Sequence, residues 1–195
     1  MPISLEQIKE LREKTAVSIA ECKVALTEAN GDIAKAVEIL RKKGIETANR
    51  KSQRDAKEGI VAYYIHSNNK VGAMVEVYCE TDFVAKNQDF LELGRNLAMQ
   101  VVAGNPKGLN PEDISDEEIQ KEKEIYKEQL IKAGKPQEIV EKAMEGKVTK
   151  FKEENALMTQ AFIKDPGRKI VDVLNETISK TGENIKIGKF IRFEI

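Results

Sequence analysis

Gly59-Ile60-Val61-Ala62-Tyr63-Tyr64-Ile65, then Ser67-Asn68-Asn69-Lys70, then Val71-Gly72-Ala73-Met74-Val75-Glu76-Val77-Tyr78, is the stretch that decides the architecture. β-Branched and aromatic residues crowd both flanks of a polar turn, which predicts an antiparallel hairpin. Beyond Thr81-Asp82, the positions Phe90, Leu93, Leu97 and Val101 recur at helical spacing and stop near Gly104-Asn105-Pro106. At the far end, Ile185, Ile187, Ile191, Phe193 and Ile195 share one parity and predict a last strand. That strand is expected to join the hairpin as a third antiparallel member, with helices covering one face. A helix over Lys169–Lys180, stopped by Thr181-Gly182, precedes it. Between Asp116 and about Lys152 the chain is charged and helical, with breaks at Ala133-Gly134-Lys135-Pro136 and at Gly146. Two antiparallel helices projecting as a hairpin over about 116–152 are the expectation, and the fold class is α+β.

On the other side of the hairpin, residues 4–44 read as three short helices. Ser4 with Gln7 and Ser18 with Glu21 are capping-box patterns. Asn30-Gly31 stops the second helix, Asp32 caps the third, and Gly44 is read as its end. Basic residues then gather, among them Arg50, Lys51, Arg54 and Lys57, while apolar periodicity fades. The resulting division is a three-helix module at 1–45, a basic linker at 46–58 and a core domain at 59–195.

The chain has 195 residues, with 32 basic and 33 acidic side chains for a net charge of −1. Such a balance lacks the basic excess that counterion release from nucleic acid rewards, so direct nucleic-acid binding is disfavoured. No apolar run approaches the ~20 residues that span a bilayer, and Met1-Pro2-Ile3-Ser4 does not open a secretion signal. Cys22 and Cys79 form no CxxC pair and read as buried thiols of a reducing cytoplasm, with no metal site.

Sequence chemistry for catalysis is sparse. The chain contains no GxxxxGK[ST] loop and only one histidine, His66, at a strand end without a motif around it. Neither a covalent catalyst nor a cofactor is expected. The segment that stands out is Cys79-Glu80-Thr81-Asp82-Phe83-Val84-Ala85-Lys86-Asn87. Asp82 is read as the cap of a first helical turn and Asn87 as the cap of its continuation. Phe83 then has two readings, a hydrophobic staple packed inward or a protruding interface anchor beside a carboxylate.

Three separated motifs carry a resemblance. Leu11 to Thr15 with Cys22 to Asp32, Glu80 to Asn87, and Lys164-Asp165-Pro166 through Gly188 to Glu194 together resemble the bacterial elongation factor Ts family along the whole chain. Ala16-Val17-Ser18-Ile19-Ala20 departs from the Gly-Ala-Gly-Met-Met common there, and Tyr78 stands where the family usually has Asn. The resemblance implies a guanine-nucleotide exchange factor for elongation factor Tu, without covalent chemistry of its own. It implies a UBA-like N-terminal module that docks on the GTPase. It also implies a wedge at Thr81, Asp82, Phe83 and Val84 that disturbs the GTPase's magnesium and phosphate site. Lys23, Lys51, His66 and Asn87 are further candidate contacts. Tyr64-Ile65-His66 occurs once, where long family members carry two hairpin modules, so a homodimer and a 2:2 assembly with the GTPase are expected. The alternatives are a UBA-type adaptor without exchange activity and a small-molecule enzyme built on Asp82 and His66.

Overall fold

Ser4, Ser18 and Asp32 each open a helix by local hydrogen bonding. Ser4 Oγ accepts from the Gln7 N–H at 3.1 Å while Gln7 Oε1 accepts from the Ser4 N–H at 3.0 Å. Ser18 and Asp32 side chains accept from the N–H groups of Glu21 and Lys35. The helices that follow are α1 (Leu5–Thr15), α2 (Ile19–Glu28) and α3 (Ile33–Lys51). Their inward faces, Leu11, Cys22, Ala25, Leu26 and Ala36, close one small hydrophobic core. The computed structural model describes residues 3–15, 17–132 and 137–195. Ala16 of the altered first turn and the expected break at Ala133–Pro136 lie outside them.

The third helix corrects one expectation. It passes through Gly44 without a break and ends only at Lys51, so residues 46–51 of the expected linker are helical. Gly44 lies on the side of α3 that packs against a later helix, where an added Cβ would meet Ser179 Oγ at 3.4 Å, an ordinary contact. A glycine that reads as a stop is here an internal residue of a packed helix.

The hairpin forms as expected, with β1 (Glu58–Ile65) and β2 (Val71–Cys79) paired antiparallel from Glu58↔Cys79 to Ile65↔Gly72. Asn69 takes the left-handed conformation, φ 55°, that closes the turn. A one-turn helix α4 (Asp82–Ala85) leads into α5 (Gln88–Gly104), which covers β1 and β2. Gly94 lets α5 approach β1, since a Cβ there would meet Ala62 Cβ at 2.8 Å. The charged helices α6 (Asp116–Lys132) and α7 (Gln137–Asn155) pack on each other, and Lys147 Nζ lies 4.5 Å over the Tyr126 ring. Gly146 sits within α7, so it does not break the helix as the sequence suggested. Two short strands that the sequence pattern did not announce, β3 (Ala161–Phe162) and β4 (Asp165–Lys169), form a separate small ladder. Helix α8 (Ile170–Thr181) follows, ended by Gly182 at φ 77°, and β5 (Lys186–Glu194) completes a sheet of order β1-β2-β5. The class is α+β, with antiparallel strands covered by helices on one face.

The last strand is paired as expected, but its apolar residues do not share one face. Val75 is opposite Phe190 and Val77 opposite Ile187, so Gly188 and Lys189 together face Glu76 in a bulge. The Glu76 carboxylate fastens it by accepting the Lys189 N–H at 3.0 Å. Beyond this extra residue the side-chain parity inverts. Ile185 and Ile187 are buried under the helices, whereas Ile191, Phe193 and Ile195 face outward.

Candidate functional site

Glu80 leaves β2 at the edge of the core, and Thr81 keeps an extended backbone, φ −129° and ψ 156°. That conformation makes Thr81, not Asp82, the cap of α4: its hydroxyl accepts the Val84 N–H at 3.4 Å. Asp82 is already helical, and its carboxylate instead meets Lys86 Nζ at 2.8 Å one turn on. The Lys86 ammonium holds the Asp82 carboxyl below the usual carboxylate range, and Asp82 in return raises Lys86. Asn87 then caps α5, accepting the Asp89 N–H at 2.8 Å. Two caps within seven residues make a tight knuckle between strand and helix. Ala85 is its buried anchor and Val84 is half-buried.

Phe83 stands on the outside of the knuckle, 82% exposed. The staple reading therefore fails, because the ring has no core to pack into. A phenylalanine left in water forgoes roughly 1.5–3 kcal/mol of burial.

Behind the knuckle lies a set of contacts that the sequence did not announce. Glu183, in the corner between α8 and β5, accepts the N–H groups of Glu80 and Thr81 on Oε2, each at 3.0 Å. Its Oε1 accepts the Thr81 hydroxyl at 2.6 Å. In the other direction, the Glu80 carboxylate accepts the Asn184 N–H at 2.6 Å. The Asn184 side chain, 2% exposed, donates to the Arg54 and Ser52 carbonyls just past α3. Arg54 completes the group with an ion pair to Glu80 at 3.5 Å. Cys79 lies beneath, its thiol donating to the Thr81 carbonyl and pushed up to about 11, by burial first and then by the Glu183 charge. In the sequence, Thr181-Gly182 reads as a helix stop and nothing marks Glu183 or Asn184.

Of the other candidates, Lys51 comes close to this group. Its Nζ is 3.9 Å from where a Cβ on Gly182 would lie, and partial burial, then Arg54, lower it below the ordinary lysine range. Lys23 is exposed on α2, within the first hydrophobic unit. His66 is at the opposite end of the hairpin from Cys79, about 25 Å along the strands, where its Nδ1 lies 3.2 Å from the Tyr64 hydroxyl. Asp82 and His66 of one chain therefore cannot act on one small substrate. Among the described residues, no cluster of three or more His, Cys, Asp or Glu side chains is placed to hold a metal, and no helix is long and apolar enough to cross a membrane.

A second surface feature is the open face of the sheet. Tyr63, Met74 and Ile191 line up across the three strands, as do Ile65, Gly72 and Phe193. With Val61, these large side chains are exposed.

Comparison with known proteins agrees along the full length. A family model described as "Elongation factor TS" matches residues 4–195. The chain is 50% identical over 193 residues to an elongation factor Ts of Thermosipho melanesiensis, covering 99% of this chain and 98% of that protein. It is 51% identical over 195 residues to that of Thermodesulfovibrio yellowstonii and 52% identical to that of a Thermotoga species, covering 100% of this chain and 97% of each relative. The chain belongs to the elongation factor Ts family of translation elongation factors.

Proposed function

We propose that this protein is a guanine-nucleotide exchange factor that binds elongation factor Tu and speeds its release of GDP. The observation that carries the reading is Phe83, 82% exposed on a knuckle fastened by its own caps. A GTPase releases nucleotide slowly because magnesium and phosphates hold one another through strong short-range electrostatics. A partner that binds the empty GTPase better than the loaded one lowers nucleotide affinity by the same factor. Such a partner needs no reacting groups. It needs a rigid apolar wedge, here Thr81 to Val84 with Phe83 at its tip, and a second surface that docks. The three-helix N-terminal module, read as UBA-like, supplies the docking surface with Lys23, and Lys51 and Asn87 flank the wedge.

The open sheet face supports a homodimer. Large apolar side chains exposed side by side on one face are a common mark of a protein interface. A two-fold pairing of identical faces covers it with itself and gives the 2:2 assembly with the GTPase. His66, at the rim of that face, then reaches a GTPase held by the other protomer. The charged helices α6 and α7 project as a hairpin, no nucleic acid or membrane takes part, and the protein works in the cytoplasm. The test is release of labelled GDP from elongation factor Tu by catalytic amounts of the protein. Acceleration that scales with protein concentration supports the reading, and an unchanged rate overturns it.

A further inference from the structure

We propose that Glu183 is a positioning residue for the exchange reaction: its carboxylate sets the direction in which the Thr81–Val84 knuckle presents Phe83. The inference rests on the reading of Phe83 as a wedge. It starts from how little else holds the knuckle. Ala85 lies in the core and Val84 packs against it, so packing seats the inner side of this turn, whereas Thr81, Asp82 and Phe83 on its outer side are all exposed. Hydrogen bonds must supply the rest, and the Glu183 carboxylate collects three of them: both N–H groups of the Glu80-Thr81 step and the Thr81 hydroxyl. Bonds to an ionised acceptor are about twice as strong as neutral ones.

The three bonds are also connected to the cap. The Thr81 hydroxyl donates to Glu183 while accepting from the Val84 N–H, and donation polarises the oxygen that does the accepting. The corner that carries Glu183 is anchored in turn. Gly182 turns the chain out of α8 at φ 77°, and Asn184 is tied to Glu80, Arg54 and Ser52. Glu183 thus binds the backbone of the Glu80-Thr81 step while Glu80 binds the backbone of Asn184, a two-way clasp between the strand that ends at the wedge and the loop that enters β5. Without it the knuckle samples several directions, and the ordering cost falls due when Phe83 inserts.

The experiment measures stimulated GDP release at saturating protein, its half-saturating concentration and the melting temperature. Glu183→Ala and the isosteric Glu183→Gln are compared in the native background and with Phe83→Ala. The expected result is a maximal rate about tenfold lower for Glu183→Ala, because small misplacements of a working group are costly. Glu183→Gln, which keeps one acceptor oxygen, recovers part of the rate, and half-saturation stays near the native value. In the Phe83→Ala background the same substitutions change the rate by less than about twofold, because there is no ring left to aim. Equal factors in both backgrounds, or a loss that tracks the melting temperature alone, overturn the proposal. A Phe83→Ala protein that retains the native rate refutes the wedge reading itself, and the proposal falls with it. Should Glu183→Ala not fold, Glu183→Gln carries the comparison.

Discussion

Arg41 and Asp172, 131 residues apart in sequence, meet in a two-pronged ion pair, with Nε 3.1 Å from Oδ1 and Nη2 2.6 Å from Oδ2. The pair joins α3 to α8, and so the N-terminal helices to the sheet domain. Asp172 is buried and also accepts the Lys169 N–H that opens α8.

Arg41→Ala leaves that buried carboxylate with one backbone donor. The partner guanidinium is half-exposed, so the loss falls between that of a surface pair and that of a fully buried one, about 1–2 kcal/mol. Urea unfolding measures it. Arg41→Lys restores the charge but not the fork, and recovers less than half. An Arg41→Ala protein as stable as the native one shows that packing alone holds α3 and α8 together.

Phe83→Ala leaves stability within about 0.5 kcal/mol of the native value, since an exposed ring contributes little to the fold. Stimulated GDP release falls about thirtyfold, the usual cost of an interface anchor. Asp82→Ala barely moves the melting temperature, because Thr81 is the cap. Thr81→Val, by contrast, costs about 1 kcal/mol. A reversed order of the last two would return the cap to Asp82.

Light scattering reports about twice the 21.9 kDa chain mass. Phe193→Asp places a charge on the open sheet face and yields a monomer that still folds, since Phe193 faces away from the core. A native protein that runs as a monomer leaves the Tyr63–Met74–Ile191 row without a partner of its own kind.

Cys79 makes stability fall at alkaline pH. Its folded-state thiol is raised from 9.0 to about 11, so the folded protein prefers the neutral form more than the unfolded chain does. The contribution is therefore complete below pH 9.0 and is lost as pH rises toward about 11. Unfolding curves across that window, compared with Cys79→Ala, isolate it. At neutral pH the same thiol resists alkylation until the protein unfolds.

Elements whose determinants lie within one turn of each other were legible in the sequence. Ser4 with Gln7, Ser18 with Glu21, Asp32 and Asn87 bond to backbone or side chains two or three residues away, and each caps the helix expected of it. The hairpin was legible for the same reason, as Asn69 sits where the chain reverses. Asp82 shows the limit of such reading: two neighbouring residues could both cap, and the extended backbone of Thr81 chose between them.

What the tertiary structure alone decided involves partners about a hundred residues apart. Gly44 reads as a helix stop until α8 is laid against it. Glu183 is one more acidic residue after a glycine until the chain returns it to the Thr81 hydroxyl. One extra residue in β5, pinned by Glu76, turned Ile191, Phe193 and Ile195 out of the core they shared a parity with. The physical reason is the same in each case. Local bonds cost the entropy of a few torsions and are written in adjacent letters, whereas a contact across the fold exists only after the whole core has closed around it.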